Sequence, residues 1–268
     1  MSDHGIRTSK AGKKIARALF ASASTLIFIL IWYILSSAGI LNPGTIPGPV
    51  DVFAALIRNL FATDMAAEHI LPTIRRAVMG FAFATGVGVG IGLLFSSILK
   101  SLKPVVVPIF HFLEKLNPLA LFPVIMLFAG IGEESKVLII FWVVVWIVVF
   151  HTIAGVENVD TLYLQSAKSM GAGGFALMIK VILPAAAPEI FSGVKFGANI
   201  AFIFVISVEM LSASSGLGWF IANAKHQYNL ANLYSTVILV AIVGIIVSSI
   251  FNILERRLFS WKQSSIPA

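Results

Sequence analysis

The sequence predicts an all-α membrane protein with six transmembrane helices, and three observations predict it. Of 268 residues, 58% are hydrophobic and only 12% carry charge, with a mean hydropathy of +0.96; a water-soluble fold of this length would not tolerate that balance. Apolar runs able to cross roughly 30 Å of hydrocarbon, about 20 residues each, recur at 18–38, 71–97, 104–130, 137–155, 189–211 and 233–254. Basic residues gather at both chain ends, as an even number of spans requires. One transmembrane domain at 18–257 is expected, between a basic segment at 1–17 and a tail at 258–268.

The basic segment holds Arg7, Lys10, Lys13, Lys14 and Arg17. Lys and Arg near short loops resist translocation, so this end is expected in the cytoplasm. Arg256, Arg257 and Lys262 place the C-terminus on the same side. Loops expected inside carry Lys100, Lys103, Lys168 and Lys180; those expected outside carry Arg58, Lys136 and Lys225 beside Asp51, Asp64, Glu68, Glu133 and Glu134. Arg75 and Arg76, at the outer end of span two, run against the rule and are expected to snorkel to the headgroups. A basic start before an apolar run also fits a secretory signal cleaved at Ser36-Ser37-Ala38. The run exceeds the usual signal core of about 7–15 residues, so it reads as a retained helix. Cysteine is absent, which excludes a disulfide framework and a thiolate metal site. Cytoplasmic flanks near anionic lipid account for the net charge of +7, and no folded basic face for nucleic acid is visible.

After the first span, Asn42-Pro43-Gly44 and Pro47-Gly48-Pro49 make an outer turn. Asp51 then caps a short surface helix with Phe53, Leu56, Ile57, Leu60 and Phe61 on one face. Span two places Gly86 with Gly90 and Gly88 with Gly92 four residues apart, forming grooves that let helices approach closely. Span three contains Pro104, Pro108, Pro118 and Pro123, with Asn117-Pro118 near its middle, so a broken helix is expected. Such breaks survive at membrane depth where protein or a water-filled cavity covers the loose carbonyls. His111, Glu114 and Lys115 share a face of its first half and are, with Asn117, candidates for a translocation path. The alternative is that Glu114 simply pairs with Lys115 near the headgroups. Span four, nearly pure Val, Ile, Trp and Phe from Val137 to Phe150, reads as a spanning helix because its neighbours are also apolar. Span five begins after Pro188 with Glu189 and Lys195 near the surface; Asn199 and Glu209 lie deeper and join the path or gate candidates. Ser212 to Gly218 reads as a flexible outer turn.

From Glu157 to Pro188 runs a polar hairpin built as helix, break, helix. Asp160 or Thr161 caps the first helix, Gly171 ends it in a left-handed conformation, and Gly173-Gly174 turns the chain. The second helix, Phe175 to Leu183, is expected to stop at Pro184. The small side chain of Ala167 would let the first helix sit deep in a partner's groove.

The wording of this hairpin resembles the EAA loop of ATP-binding cassette (ABC) importer permeases: Glu-Ala-Ala, three residues, Gly, nine residues, Ile-x-Leu-Pro. Gln165, Ser166 and Ala167 take the first places, Gly171 follows, and Val181, Leu183 and Pro184 complete it. Further segments are similar to the nitrate, sulfonate and taurine branch: Pro47-Gly48-Pro49, Ala120 with Pro123, Gly130-Ile131-Gly132-Glu133 with Lys136, Pro188 with Gly193, and Glu209 before Gly216-Leu217-Gly218. The resemblance implies a type I importer permease fold in which two copies, expected as a homodimer, form the path. It implies that Gln165, Ser166, Ala167, Lys168, Met170, Gly171, Leu183 and Pro184 couple to a separate ATPase subunit, which hydrolyses ATP. An extracytoplasmic binding protein would deliver the solute, and no cofactor is expected on this chain. The sequence departs from the pattern at Gln165, where a glutamate is usual, and at Glu114-Lys115-Leu116-Asn117, where Arg-Pro-Ile/Val-Pro is usual.

Three function classes remain distinguishable by residue pattern. A nucleotide-hydrolysing enzyme would need a Gly-x-x-x-x-Gly-Lys-Ser/Thr loop, and Gly12-Lys13 has Arg7 where the first glycine belongs. An ion-gradient-driven secondary transporter would show an inverted repeat, yet no second broken helix matches span three. A membrane-embedded enzyme would need clustered ligands or acid–base pairs, whereas His4, His69, His111, His151 and His226 are scattered. A transport subunit without its own nucleotide site is the expectation.

Overall fold

The computed structural model describes residues 23–42, 44–61 and 64–259. The basic segment 1–17, the start of the first predicted span, Pro43 of the predicted turn and Lys262 lie outside these residues. Every regular element described is helical. In chain order they are α1 (Ala23–Ser37), α2 (Pro49–Phe61), α3 (Met65–Ser97), α4 (Lys103–Glu114), α5 (Pro118–Ala129), α6 (Glu133–Glu157), α7 (Thr161–Ser169), α8 (Gly174–Ser212), α9 (Leu217–His226) and α10 (Leu230–Leu258).

Among the described residues, α3, α6, α8 and α10 are each long and apolar enough to cross a membrane, and the α4–α5 pair makes a fifth span if counted as one. The first of the six predicted spans is seen only from Ala23 onward, as the shorter apolar helix α1. The predicted break in span three is present: α4 and α5 meet at 94°. Asn117 accepts a hydrogen bond from the Leu119 N–H at 3.0 Å and so caps α5, while Pro118 sits in its first turn, where no donor is needed.

The chain divides into two units. One comprises Met1–Ala62 with Asn223–Ile238. In it α2 buries Val52, Ala55, Leu56 and Asn59, and Asn59 donates to Ser235 Oγ at 3.1 Å. Helix α2 begins at Pro49 rather than at an Asp51 cap; Asp51 lies in the first turn, where its charge suits the helix dipole.

The other unit, Thr63–Ala222 with Leu239–Ala268, is built on α3, α6 and α8, around a core of Ala84, Ile140, Val144, Val148, Val205 and their neighbours. Small residues set how close these helices come. A Cβ on Gly80, Gly88 or Gly92 would lie 2.7, 2.8 and 2.5 Å from Ile140, Val148 and Thr152, whereas one on Gly86 or Gly90 would meet nothing within 4 Å. Of the two predicted glycine pairs, only Gly88/Gly92 forms a packed groove, because α6 covers one face of α3. Gly92→Val is therefore expected to lower stability by about 1–3 kcal/mol through overpacking, and Gly90→Val to be neutral within about 0.5 kcal/mol. Unfolding midpoints of the two variants in one detergent check this.

Pro184 does not end a helix. Helix α8 continues from Gly174 through Pro184 and Pro188 to Ser212. A wide π-type turn over Met178–Ile182 precedes Pro184, and the Leu183 N–H reaches back to Met178 O. That change of hydrogen-bond step accommodates the ring, which would break a regular helix.

Candidate functional site

Two structured regions lie at opposite ends of α8, up to about 50 Å of helix apart at roughly 1.5 Å per residue. At its C-terminal end is a buried charge cluster. Arg76 from α3, 3% exposed, reaches Glu209 of α8 at 2.6 Å and Glu133 of α6 at 2.5 and 2.8 Å. Lys136, one turn along α6, pairs with Glu133 at 2.9 Å. Two cations thus meet two anions: Arg76, Lys136 and Glu209 are buried and hold one another in place, while Glu133, its side chain 45% exposed, stands at the edge of the cluster.

The buried carboxylate has further polar partners besides Arg76. Glu209, 1% exposed, accepts from the Gly218 N–H at 3.0 Å, and the Thr73 hydroxyl lies 2.8 and 2.9 Å from its two oxygens. Thr73 in turn accepts from the Leu217 N–H at 2.9 Å, and Arg76 donates to Ser215 O at 2.8 Å. The Ser212–Gly218 segment, expected to be flexible, is instead tied to α3 and α8 by these bonds. Glycine is required in it: Gly216 has φ +112°, and a Cβ there would lie 2.4 Å from the Glu209 carboxylate.

These positions revise two expectations. Arg76 does not snorkel to headgroups; Glu133 and Glu209, far off in sequence, neutralise it in place. Glu209, a path or gate candidate, is enclosed rather than open in this structure, its carboxylate 1% exposed and accepting from Arg76, Gly218 and Thr73. Thr73, Ser215 and the backbone of Leu217 escaped sequence reasoning, although Thr73, Arg76 and Gly80 at three- and four-residue spacing do mark one buried face of α3.

At the other end α7 and the start of α8 form the hairpin. Asp160 caps α7 by accepting from the Leu162 N–H at 2.8 Å. Gly171 adopts φ +82°, with its N–H bonded to Lys168 O and the Ala172 N–H to Ala167 O, both at 2.9 Å. This is the left-handed stop expected there, and a side chain at 171 would be strained. Ala167 is 4% exposed and belongs to the inner face of α7, so it packs within the chain and is not offered to a partner's groove. Gln165, Ser166, Lys168 and Met170 are exposed, as are Leu162 and Tyr163 on α7 and Phe175 in the first turn of α8. Of the other residues predicted to couple, Leu183 and Pro184 lie past the wide turn in α8 rather than on α7.

On α4 the structure brings His111, Glu114 and Lys115 together: Glu114 is 3.5 Å from His111 and 3.6 Å from Lys115. The His111 ring stacks on Phe150 of α6, centroids 4.2 Å apart. Asn117 is spent as the α5 cap, and Asn199 is half-buried on α8, away from the α4 group in sequence and element. Glu189 and Lys195 are not simply solvated; they pair with His151 at 3.0 Å and Glu255 at 2.7 Å.

A bundle of long apolar helices with a right-angle break in one span and a capped hairpin leading into another is the fold of a type I ABC importer permease. The methionine ABC transporter MetNI, solved in inward-facing conformations, shares it at a TM-score of 0.64 over 71% of this chain and 94% of that one, with 16% sequence identity. Residues 84–260 match the family described as binding-protein-dependent transport system inner membrane component, and the chain belongs to that family. It is 29% identical over 238 residues to a putative aliphatic sulfonates transport permease protein of Bacillus subtilis, covering 89% of this chain and 86% of that one. It is 25% identical over 252 residues to the taurine transport system permease protein of Escherichia coli, covering 92% and 91%. The chain is thus the permease of an ABC importer, and the ion-gradient alternative is not favoured.

Proposed function

We propose that two copies of this chain form the path by which a small sulfonate, taurine or nitrate-like solute enters a bacterial cell across the inner membrane. The observation that carries the reading is the hairpin: a short capped helix with Leu162, Tyr163 and Met170 exposed, followed by an exposed Phe175 at the start of α8. Apolar and aromatic side chains exposed on a rigid helix are the anchors of protein–protein interfaces, and a separate ATPase subunit is the partner proposed here. Gln165, Ser166 and Lys168 would form the polar rim. Closure of two such ATPases on ATP would draw the two hairpins together and turn the path toward an extracytoplasmic binding protein at the opposite end. Both chain termini would then lie with the hairpin in the cytoplasm.

Within the path, His111, Glu114 and Lys115 on the broken span and Asn199 on α8 supply the polar groups a hydrophilic solute requires. The buried charge cluster would act as a brace, holding the ends of α3, α6 and α8 together while the path opens elsewhere. In proteoliposomes the chain alone is expected to transport nothing, and uptake of radiolabelled taurine or an alkanesulfonate to appear only with the ATPase, ATP and the binding protein. Uptake driven by an ion gradient in the absence of partners would overturn the reading.

A further inference from the structure

A cavity of about 330 Å³ opens between α3 and α6 beside the charge cluster, lined by Arg75, Arg76, Glu133, Glu134, Met79 and Leu138 among others. The charges on its rim can be counted. Arg76 and Lys136 neutralise Glu133 and Glu209. That leaves one cation and one anion, Arg75 and Glu134, both exposed and neither in an ion pair with another described residue. The floor is different in kind: Met79 and Phe83 descend α3 at four-residue steps from Arg75, and Leu138 lies one turn along α6 from Glu134. These three side chains are 49%, 58% and 39% exposed, apolar surface that spanning helices present to lipid.

We infer that this groove is a binding site for a zwitterionic aminophospholipid of the phosphatidylethanolamine type. The lipid phosphate would accept from Arg75, its primary ammonium would donate to Glu134, and an acyl chain would lie along Met79, Phe83 and Leu138. The charge count favours this headgroup over an anionic one, which Glu134 would repel. The apolar floor favours a lipid over a free amino-sulfonate, which has no chain to place there. A choline headgroup carries the same charges but no N–H to donate, so it satisfies Glu134 less well.

Native mass spectrometry of the full chain, released from mild detergent after equilibration with equal amounts of phosphatidylethanolamine, phosphatidylglycerol and phosphatidylcholine, tests the site. Phosphatidylethanolamine is expected to be retained preferentially, and Arg75→Ala or Glu134→Gln to weaken that retention about tenfold, the loss of one charge-assisted contact. Glu134→Lys, which makes the rim doubly cationic, is expected to switch the preference to phosphatidylglycerol. The exchanged variant Arg75→Glu/Glu134→Arg should keep the original preference, which a merely structural role would not predict. Equal retention of the three lipids, or an unchanged preference in Glu134→Lys, would overturn the proposal. Displacement of the lipid by millimolar taurine would reassign the site to a soluble solute. The chain has no cysteine, so Leu138→Cys introduces the only thiol; a disulfide between two copies would reassign the groove to contact with a second copy.

Discussion

Glu209→Ala is expected to cost about 3–5 kcal/mol of stability, the range for removing one partner of a buried ion pair. The carboxylate is 1% exposed and receives Arg76, the Gly218 N–H and the Thr73 hydroxyl. Its removal leaves Arg76 and Lys136 facing Glu133 alone, and it strips a buried N–H of its acceptor. The double variant Arg76→Met/Glu209→Leu should be less damaging than Glu209→Ala, because Lys136 and Glu133 remain a balanced pair at 2.9 Å. Thermal unfolding followed by loss of helical circular dichroism in detergent reads both. A double variant as unstable as the sum of its singles would show that Arg76 and Glu209 do not act together.

The same cluster marks where the sequence could and could not be read. Local rules served well. The break in span three follows from Asn117-Pro118, which removes a donor and supplies a cap within two residues, and the α7 stop follows from Gly171. Both are decided by backbone sterics and by partners a few positions away. The partners of Arg76 lie 57 and 133 residues further along, so no window of sequence joins them, and an unpaired arginine near a helix end reads as snorkelling. The burial of Ala167 was missed for a related reason: on a short helix the buried face is chosen by what lies beneath it, and on α7 it is Leu164 that packs against the cluster of Val159, Ala186 and Ile190. Pro184 failed as a stop signal because a wide turn one step earlier absorbs the ring, a device with no residue signature of its own. The hairpin's shape was legible in Asp160 and Gly171, and which of its side chains face outward was not.

Gly171→Val is expected to abolish ATP-driven uptake while leaving the helical bundle inserted. Valine at φ +82° is strained, being β-branched in a region that L side chains rarely adopt, so the chain at 171 would swing into an ordinary conformation. The Gly171 N–H bond to Lys168 O and the Ala172 N–H bond to Ala167 O, both 2.9 Å, close the end of α7. Losing them would rotate Met170 relative to Leu162 and Tyr163 and disperse the apolar contact surface. The core of α3, α6 and α8 touches none of these atoms, so membrane insertion and the unfolding midpoint should change by no more than about 1–2 kcal/mol of local cost. Gly171→Asn, a residue that tolerates the left-handed region, should retain most of the uptake, which separates a requirement for backbone shape from one for small size. The measurement is solute uptake by proteoliposomes holding permease, ATPase and binding protein, with co-purification of the ATPase read in parallel. Wild-type uptake by Gly171→Val would mean that the hairpin does not transmit the ATPase stroke. Loss of uptake with the ATPase still bound would place the defect in transmission rather than in docking.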